Sequence, residues 1–182
     1  MGIQRRVTVR VMDLRVPFAT YQQAGSIVDK LEALLSRVQP VMFAAETPGQ
    51  IESTLENLTM GQRALWAVEQ LQMEIMNGGL EQYFFNSAGG TALEAAEGLS
   101  LFGLKKFEKL LAKALKMFPG GIASRDRDER MELLDEGGLA DRLDDSGLDE
   151  KWYAGYEEEE AVSKAALAYV DAHPAEFFID AA

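Results

Sequence analysis

The chain has 182 residues, enough for one domain with a substantial core, and its 47% share of hydrophobic residues excludes wholesale disorder. It contains no cysteine and one histidine, which excludes disulfides, zinc–thiolate sites and thiol nucleophiles, so we predict no metal and no cofactor. The formal net charge of −12 disfavours direct binding to nucleic acid or to an anionic membrane.

The first 20 residues differ from the rest of the chain. Val7, Val9 and Val11 alternate with polar residues, the period-two pattern of a half-buried strand. Because no second convincing strand follows, this strand either pairs with its counterpart in a homodimer or forms an extended arm. Charged residues interrupt the segment before a signal peptide can form, and no apolar stretch reaches membrane-spanning length, so we expect a cytoplasmic protein. We therefore divide the chain into an arm or strand at residues 1–20 and a helical domain at 21–182.

From residue 21 onward, apolar residues recur at helical spacing in segments separated by proline or by paired glycines. Thr47 followed by Pro48 predicts a helix N-terminus. Thr59 with Gln62 predicts a capping box for the next helix, which stops at residues 77–79 with the sequence Asn-Gly-Gly.

The second half continues this pattern. Thr91 with Glu94 predicts another capping box, and Ser124 predicts the N-cap of a later helix. The last helix ends at His173, before a proline. About seven helices with short joints indicate an all-α, compact single-domain helical bundle. The residues that we expect in its core are Trp66, Leu71, Ile75, Tyr83, Phe84 and Leu104.

The excess negative charge is concentrated in one fifth of the chain. Residues 126–160 contain fifteen acidic and four basic residues, a net charge of −11. The acidic residues are Asp126, Asp128, Glu129, Glu132, Asp135, Glu136, Asp141, Asp144, Asp145, Asp149, Glu150, Glu157, Glu158, Glu159 and Glu160. Those at positions 128 to 136 recur at three- and four-residue spacing, so they line one helix face. Such a face either serves solubility alone or attracts a basic protein, and both interpretations stay open.

The turn after residue 76 has the most specific sequence. Its paired glycines permit positive φ, and its amides are suited to satisfying helix ends. The same region offers an alternative ligand site for a hydrolase or a small-ligand-binding domain, consisting of Glu69, Asn77, Glu81, Gln82 and Asn86. Since no nucleophile–histidine pair, phosphate loop or dinucleotide fingerprint accompanies it, we favour packing and capping roles and expect that the protein is not an enzyme.

The run from Glu74 to Gly89 resembles the C-terminal domain of a bacterial protein family named after a DNA mimic protein. The segment from Ser124 to Arg130 and the Leu-Asp-x-x-Trp-Tyr pattern at residues 148–153 extend this resemblance, which covers about residues 59–178. The resemblance implies an all-helical fold. By analogy with the namesake, it also implies that the protein occupies the basic face of a DNA-binding protein.

We therefore expect an acidic helical protein whose partner is a basic protein, a DNA-binding protein if the analogy holds. We expect no direct binding to nucleic acid and none to membranes. Two alternatives remain: a hydrolase or ligand-binding domain around residues 77–86, and a structural module whose acidic face is merely solubilising.

Overall fold

The computed structural model describes residues 13–156 and 160–180, and within them the fold is all-α, as predicted. The α-helices of these residues are α1 (Phe18–Gln23), α2 (Ile27–Leu35), α3 (Val38–Phe43), α4 (Pro48–Glu56), α5 (Met60–Phe85), α6 (Ala92–Leu101), α7 (Lys105–Leu115), α8 (Arg127–Asp135), α9 (Leu139–Asp144), α10 (Leu148–Tyr153) and α11 (Ala161–Ala172). This part of the chain thus has eleven helices rather than about seven. The difference arises largely from α1, α3, α9 and α10, whose six residues are too few for a helical period to stand out in the sequence.

Helix α5 forms the centre of the fold. It is 26 residues long and contacts α6, α8, α10 and α11, which come from the second half of the chain. Its N-terminus has the predicted capping box: the Thr59 hydroxyl accepts from the Gln62 N–H, and the Gln62 side chain accepts from the Thr59 N–H. The surrounding helices bury most of its residues, and Leu71 and Ile75 are fully buried.

Helix α5 is broken at Gly78 and Gly79, where the sequence predicts its end. Gly79 has φ 78° and ψ −173°, a region that is essentially restricted to glycine. A Cβ at this position would also collide with the carboxylate of Asp149. The same carboxylate accepts a hydrogen bond of 3.0 Å from the Leu80 N–H. The break therefore depends on glycine and is fastened by a residue from α10.

The aromatic residues that follow the break lie in the core, as predicted. Tyr83 and Phe84 are fully buried, and the Phe84 ring lies 4.6 Å from that of Phe118, centroid to centroid. Trp66, which we also expected in the core, is buried and packs edge-on against Phe43. Leu104 is only partly buried, because it is the N-cap residue of α7 and not part of its buried face.

The described part of the N-terminal segment is attached to the C-terminal end. Val16 donates from its N–H to the Phe177 carbonyl at 2.8 Å and accepts from the Ile179 N–H at 3.1 Å. Leu14 and Val16 are buried. The predicted strand at residues 7–11, with its proposed homodimer contact, lies outside the described residues, and the domain boundary at residue 20 stays a prediction.

Two of the predicted caps are wrong. Thr91 does not accept from the helix that follows; instead, its hydroxyl donates to the Ala88 carbonyl, and Glu94 pairs with Arg125. Asp126, and not Ser124, caps α8, with its carboxylate accepting from the N–H groups of residues 128 and 129. The predicted cap at Thr47 is confirmed, with Gln50 completing a capping box.

Candidate functional site

The acidic segment forms three consecutive helices, α8, α9 and α10, and α9 contacts both of the others. Helix α8 is attached to the core through Arg130 and Leu134, its buried residues. Helix α10 is attached through the break in α5: Asp149 accepts from the Leu80 N–H, and the Tyr153 hydroxyl donates to the Ile75 carbonyl at 2.8 Å. Buried residues of α8 and hydrogen bonds to the backbone of α5 therefore attach α8 and α10 to the core.

Most of the predicted partner-binding carboxylates in these helices point into solvent. The exposed ones are Asp128, Glu129, Glu132, Asp135, Glu136, Asp141, Asp144, Asp145 and Glu150. Within residues 13–156 and 160–180, none of these nine forms an ion pair. Glu129, Glu132 and Glu136 line one shallow groove on α8, as their spacing predicts. Their charge is therefore available to a partner.

The remaining acidic residues of the predicted set differ from these nine. Asp126 is the N-cap of α8, and Asp149 is half-buried against the break in α5, where burial raises the pKa of its carboxyl group above its usual range. Glu160 has φ 68° and lies 3.9 Å from the Lys164 ammonium. Glu157, Glu158 and Glu159 lie outside the described residues. Asp126 and Asp149 thus already have roles within the fold.

One basic residue of the acidic segment is removed from the surface. Arg130 is fully buried, and its guanidinium donates to the carbonyls of Phe84, Asn86, Ser124 and Arg125 at 2.6–3.1 Å. Burial lowers the pKa of Arg130 to about 10. No ion pair joins this guanidinium to a carboxylate in the part of the chain that the structure describes. The surface of α8 is therefore more acidic than the sequence count suggests.

The alternative ligand site is organised around Glu74, a residue outside the predicted set of five. Glu74 accepts from the side-chain amides of Gln82 at 2.7 Å and Asn86 at 2.8 Å. Asn77 is exposed and Glu81 is half-buried. The two amides thus bridge the broken halves of α5 through Glu74. The spacing of 74, 82 and 86 across a glycine break could have indicated this contact.

Glu69, the fifth residue of that alternative site, has an unusual environment. Its Oε1 atom is buried without a hydrogen-bond partner in the described residues, as are both side-chain polar atoms of Gln72. Burial raises the pKa of Glu69 to about 7. The five residues stay an untested alternative ligand site, and the contacts of Glu74 with two of them bridge the turn.

An arginine cluster at the start of α8 was not singled out as a site by the sequence analysis. Arg125 forms an ion pair of 2.5 Å with Glu94 and donates to the Gly90 carbonyl. Arg127 donates from Nε to the Phe85 carbonyl at 2.9 Å, and its guanidinium carbon lies 4.8 Å from the centroid of the Phe85 ring. With Arg130, these side chains line one cleft. Their alternation with acids in the sequence concealed the cluster.

Two further features concern metals and membranes. Among residues 13–156 and 160–180, no group of three His, Cys, Asp or Glu side chains is arranged to hold a metal ion. In the same residues, no helix has the length and apolar character that crossing a membrane requires.

Comparison with known proteins identifies one protein family. A family model described as DMP19-like protein matches residues 56–173, which is more than half of the chain. No curated protein and no solved structure matches.

Proposed function

The chain belongs to the family of DMP19-like proteins, and from that premise we propose that it acts by presenting the carboxylates of α8, α9 and α10 to the basic face of a DNA-binding protein. The observation that carries this proposal is the set of nine exposed carboxylates that form no ion pair within the described residues. The protein is thereby a competitor of DNA and does not itself bind DNA.

The charge density of this surface supports the proposal. Along α8, residues three or four positions apart are separated by about 4.5–6 Å along the helix axis, and one DNA strand carries one phosphate per about 3.4 Å of its axis. The neighbouring α9 and α10 add further carboxylates to the same part of the molecule. A basic groove that exchanges counterions for phosphates can make the same exchange with fixed carboxylates.

The rigidity of the surface also supports binding over mere solubility. A solubilising face needs no fixed geometry, whereas α8 and α10 are anchored by Arg130 and by Asp149 and Tyr153. Helices held in place before binding lose less conformational entropy when a partner arrives.

A neutralised variant tests the proposal. It carries Asp128→Asn, Glu129→Gln, Glu132→Gln and Asp135→Asn, which remove four charges and leave the cap at Asp126 unchanged. A matched control variant removes four exposed charges elsewhere, through Glu32→Gln, Glu52→Gln, Glu56→Gln and Glu97→Gln. The wild type and both variants are immobilised and exposed to lysate of the native organism at low and at high salt.

We expect the wild type and the control variant to retain a DNA-binding protein that leaves the column in high salt or on addition of duplex DNA. The neutralised variant should retain much less of it, because removing surface charges slows association. Equal retention by the neutralised variant, or failure of duplex DNA to release any retained protein, would contradict the proposal.

A further inference from the structure

A cleft of about 310 Å³ lies between the loop after α3, helix α5 and the segment that begins α8. Its apolar side is formed by Met42, Phe43, Ile51 and Trp66, and the rings of Phe43 and Trp66 meet edge-on at 5.2 Å. Phe43 is 57% exposed, whereas Trp66 is buried. Phe43 is therefore the part of this aromatic wall that is open to solvent.

The opposite side of the cleft is cationic. Arg125, Arg127 and Arg130 all line it, and the carboxylate of the exposed Glu46 is the one acidic group among its lining residues. This charge contrasts with the net −12 of the chain. Since Glu94 already pairs with Arg125, the positive charge that favours an anion inside the cleft comes from Arg127 and Arg130.

Arg127 is the arginine with donors to spare. Arg130 is engaged by four backbone carbonyls, and Arg125 by Glu94 and the Gly90 carbonyl. Arg127 uses only Nε, which donates to the Phe85 carbonyl, and no hydrogen bond joins its two terminal nitrogens to another described residue. The Nε bond and the Phe85 ring hold the guanidinium in place, so these two nitrogens are oriented before any ligand arrives.

A second, independent observation comes from Gln70. Gln70 is 9% exposed and lines the cleft. Its side-chain amide forms no hydrogen bond with another described residue. Neither of its amide atoms is among the described polar atoms that are closed off without a partner, so both are open to the cleft. The amide is therefore available to donate to a ligand oxygen.

We propose that this cleft binds a small organic anion, with an apolar ring against Trp66 and Phe43 and a carboxylate or phosphate group that accepts from Arg127 and Gln70. Its volume lies at the lower end of the range for ligand sites, about 300–1,000 Å³, which suits a small molecule and excludes a folded partner. The site does not include the exposed carboxylates of α8, α9 and α10, so this proposal does not depend on the proposed function.

The test uses two anionic probes, phenyl phosphate and benzoate, with benzyl alcohol as the neutral analogue and inorganic phosphate as the probe without a ring. Binding is followed through the indole N–H signal of Trp66 in ¹⁵N-labelled protein, with that of Trp152, the other tryptophan, as an internal reference. We expect at least one aromatic anion to shift the Trp66 signal saturably and both ringless phosphate and benzyl alcohol to bind about tenfold more weakly or worse. The stronger of the two anions identifies the preferred head group.

Variants assign the binding to the named residues. Arg127→Gln should weaken binding of the better anion by about tenfold or more, and Gln70→Leu should also weaken its binding. Arg142→Gln, which removes an exposed arginine outside the cleft, should leave binding unchanged. Because Arg127 is exposed, its variant keeps the test valid even if Gln70→Leu does not fold. The proposal is overturned if neither anion binds at about 10 mM, if benzyl alcohol binds as well as the anions, or if Arg127→Gln binds like wild type.

Discussion

We expect Gly79→Ala to destabilise the protein strongly, because two separate costs meet at this position. The first is conformational: at φ 78° and ψ −173°, a residue with a Cβ is strained. The second is steric: the added Cβ would displace the Asp149 carboxylate, which accepts from the Leu80 N–H at 3.0 Å. The substitution should therefore loosen α10 as well as the break in α5.

The magnitude follows from these two costs. Backbone strain in this region contributes about 1–3 kcal/mol. Loss of a hydrogen bond to a charged group contributes about 1.5–3 kcal/mol more. The free energy of unfolding should accordingly fall by about 2.5–6 kcal/mol. Gly138→Ala provides a matched control, since Gly138 has φ 60° and ψ 27° with no atom within 4 Å of the added Cβ, and should cost only about 1–2 kcal/mol.

Urea unfolding followed by far-UV circular dichroism measures both changes. A double-mutant cycle then isolates the contact: in an Asp149→Ala background, Gly79→Ala should cost only its strain, about 1–3 kcal/mol. If Gly79→Ala costs no more than Gly138→Ala, and costs the same with or without Asp149, the account of this break is wrong.

Two further predictions concern buried charged groups. Arg130→Leu should destabilise the fold by about 3 kcal/mol or more, because four carbonyls lose their donor. Arg142→Leu, at an exposed position, should change the free energy of unfolding by less than about 0.5 kcal/mol. Equal urea midpoints for Arg130→Leu and Arg142→Leu would refute the prediction for Arg130. Because the folded pKa of Glu69 is raised to about 7, wild-type stability should fall as pH rises from about 4.5 to 7. Glu69→Gln should lack that fall, which is worth up to about 3 kcal/mol in the free energy of unfolding. If the free energy of unfolding changes equally in both proteins between about pH 5 and pH 7.5, this prediction is contradicted.

Features that depend on local chemistry were predicted correctly from the sequence. The capping box at Thr59 and the cap at Thr47 involve groups within three residues of one another. The break at Gly78 and Gly79 follows from the conformational freedom of paired glycines. Each of these arrangements is decided by short-range sterics and hydrogen bonds, which the sequence contains directly.

Features decided by distant partners were missed. The capping box expected at Thr91 fails because Glu94 instead binds Arg125, which lies 31 residues after Glu94. Arginine is usually a surface residue, but Arg130 is buried because its guanidinium donates to backbone carbonyls 44 and 46 residues upstream. Asp149 was grouped with the partner-binding acids, and its contact with Leu80 spans 69 residues. Periodicity indicates which side of a helix is polar, but it does not indicate which distant groups meet there.

Under the proposed function, the carboxylates of α8, α9 and α10 occupy the surface on which a partner binds DNA. The most direct test mixes the retained DNA-binding protein with labelled duplex DNA and titrates in this protein, the neutralised variant or the control variant. We predict that the wild type and the control variant displace the DNA completely, with no ternary complex by size-exclusion chromatography, and that the neutralised variant displaces it far less. A stable complex that contains the partner, the DNA and this protein together would contradict the claim.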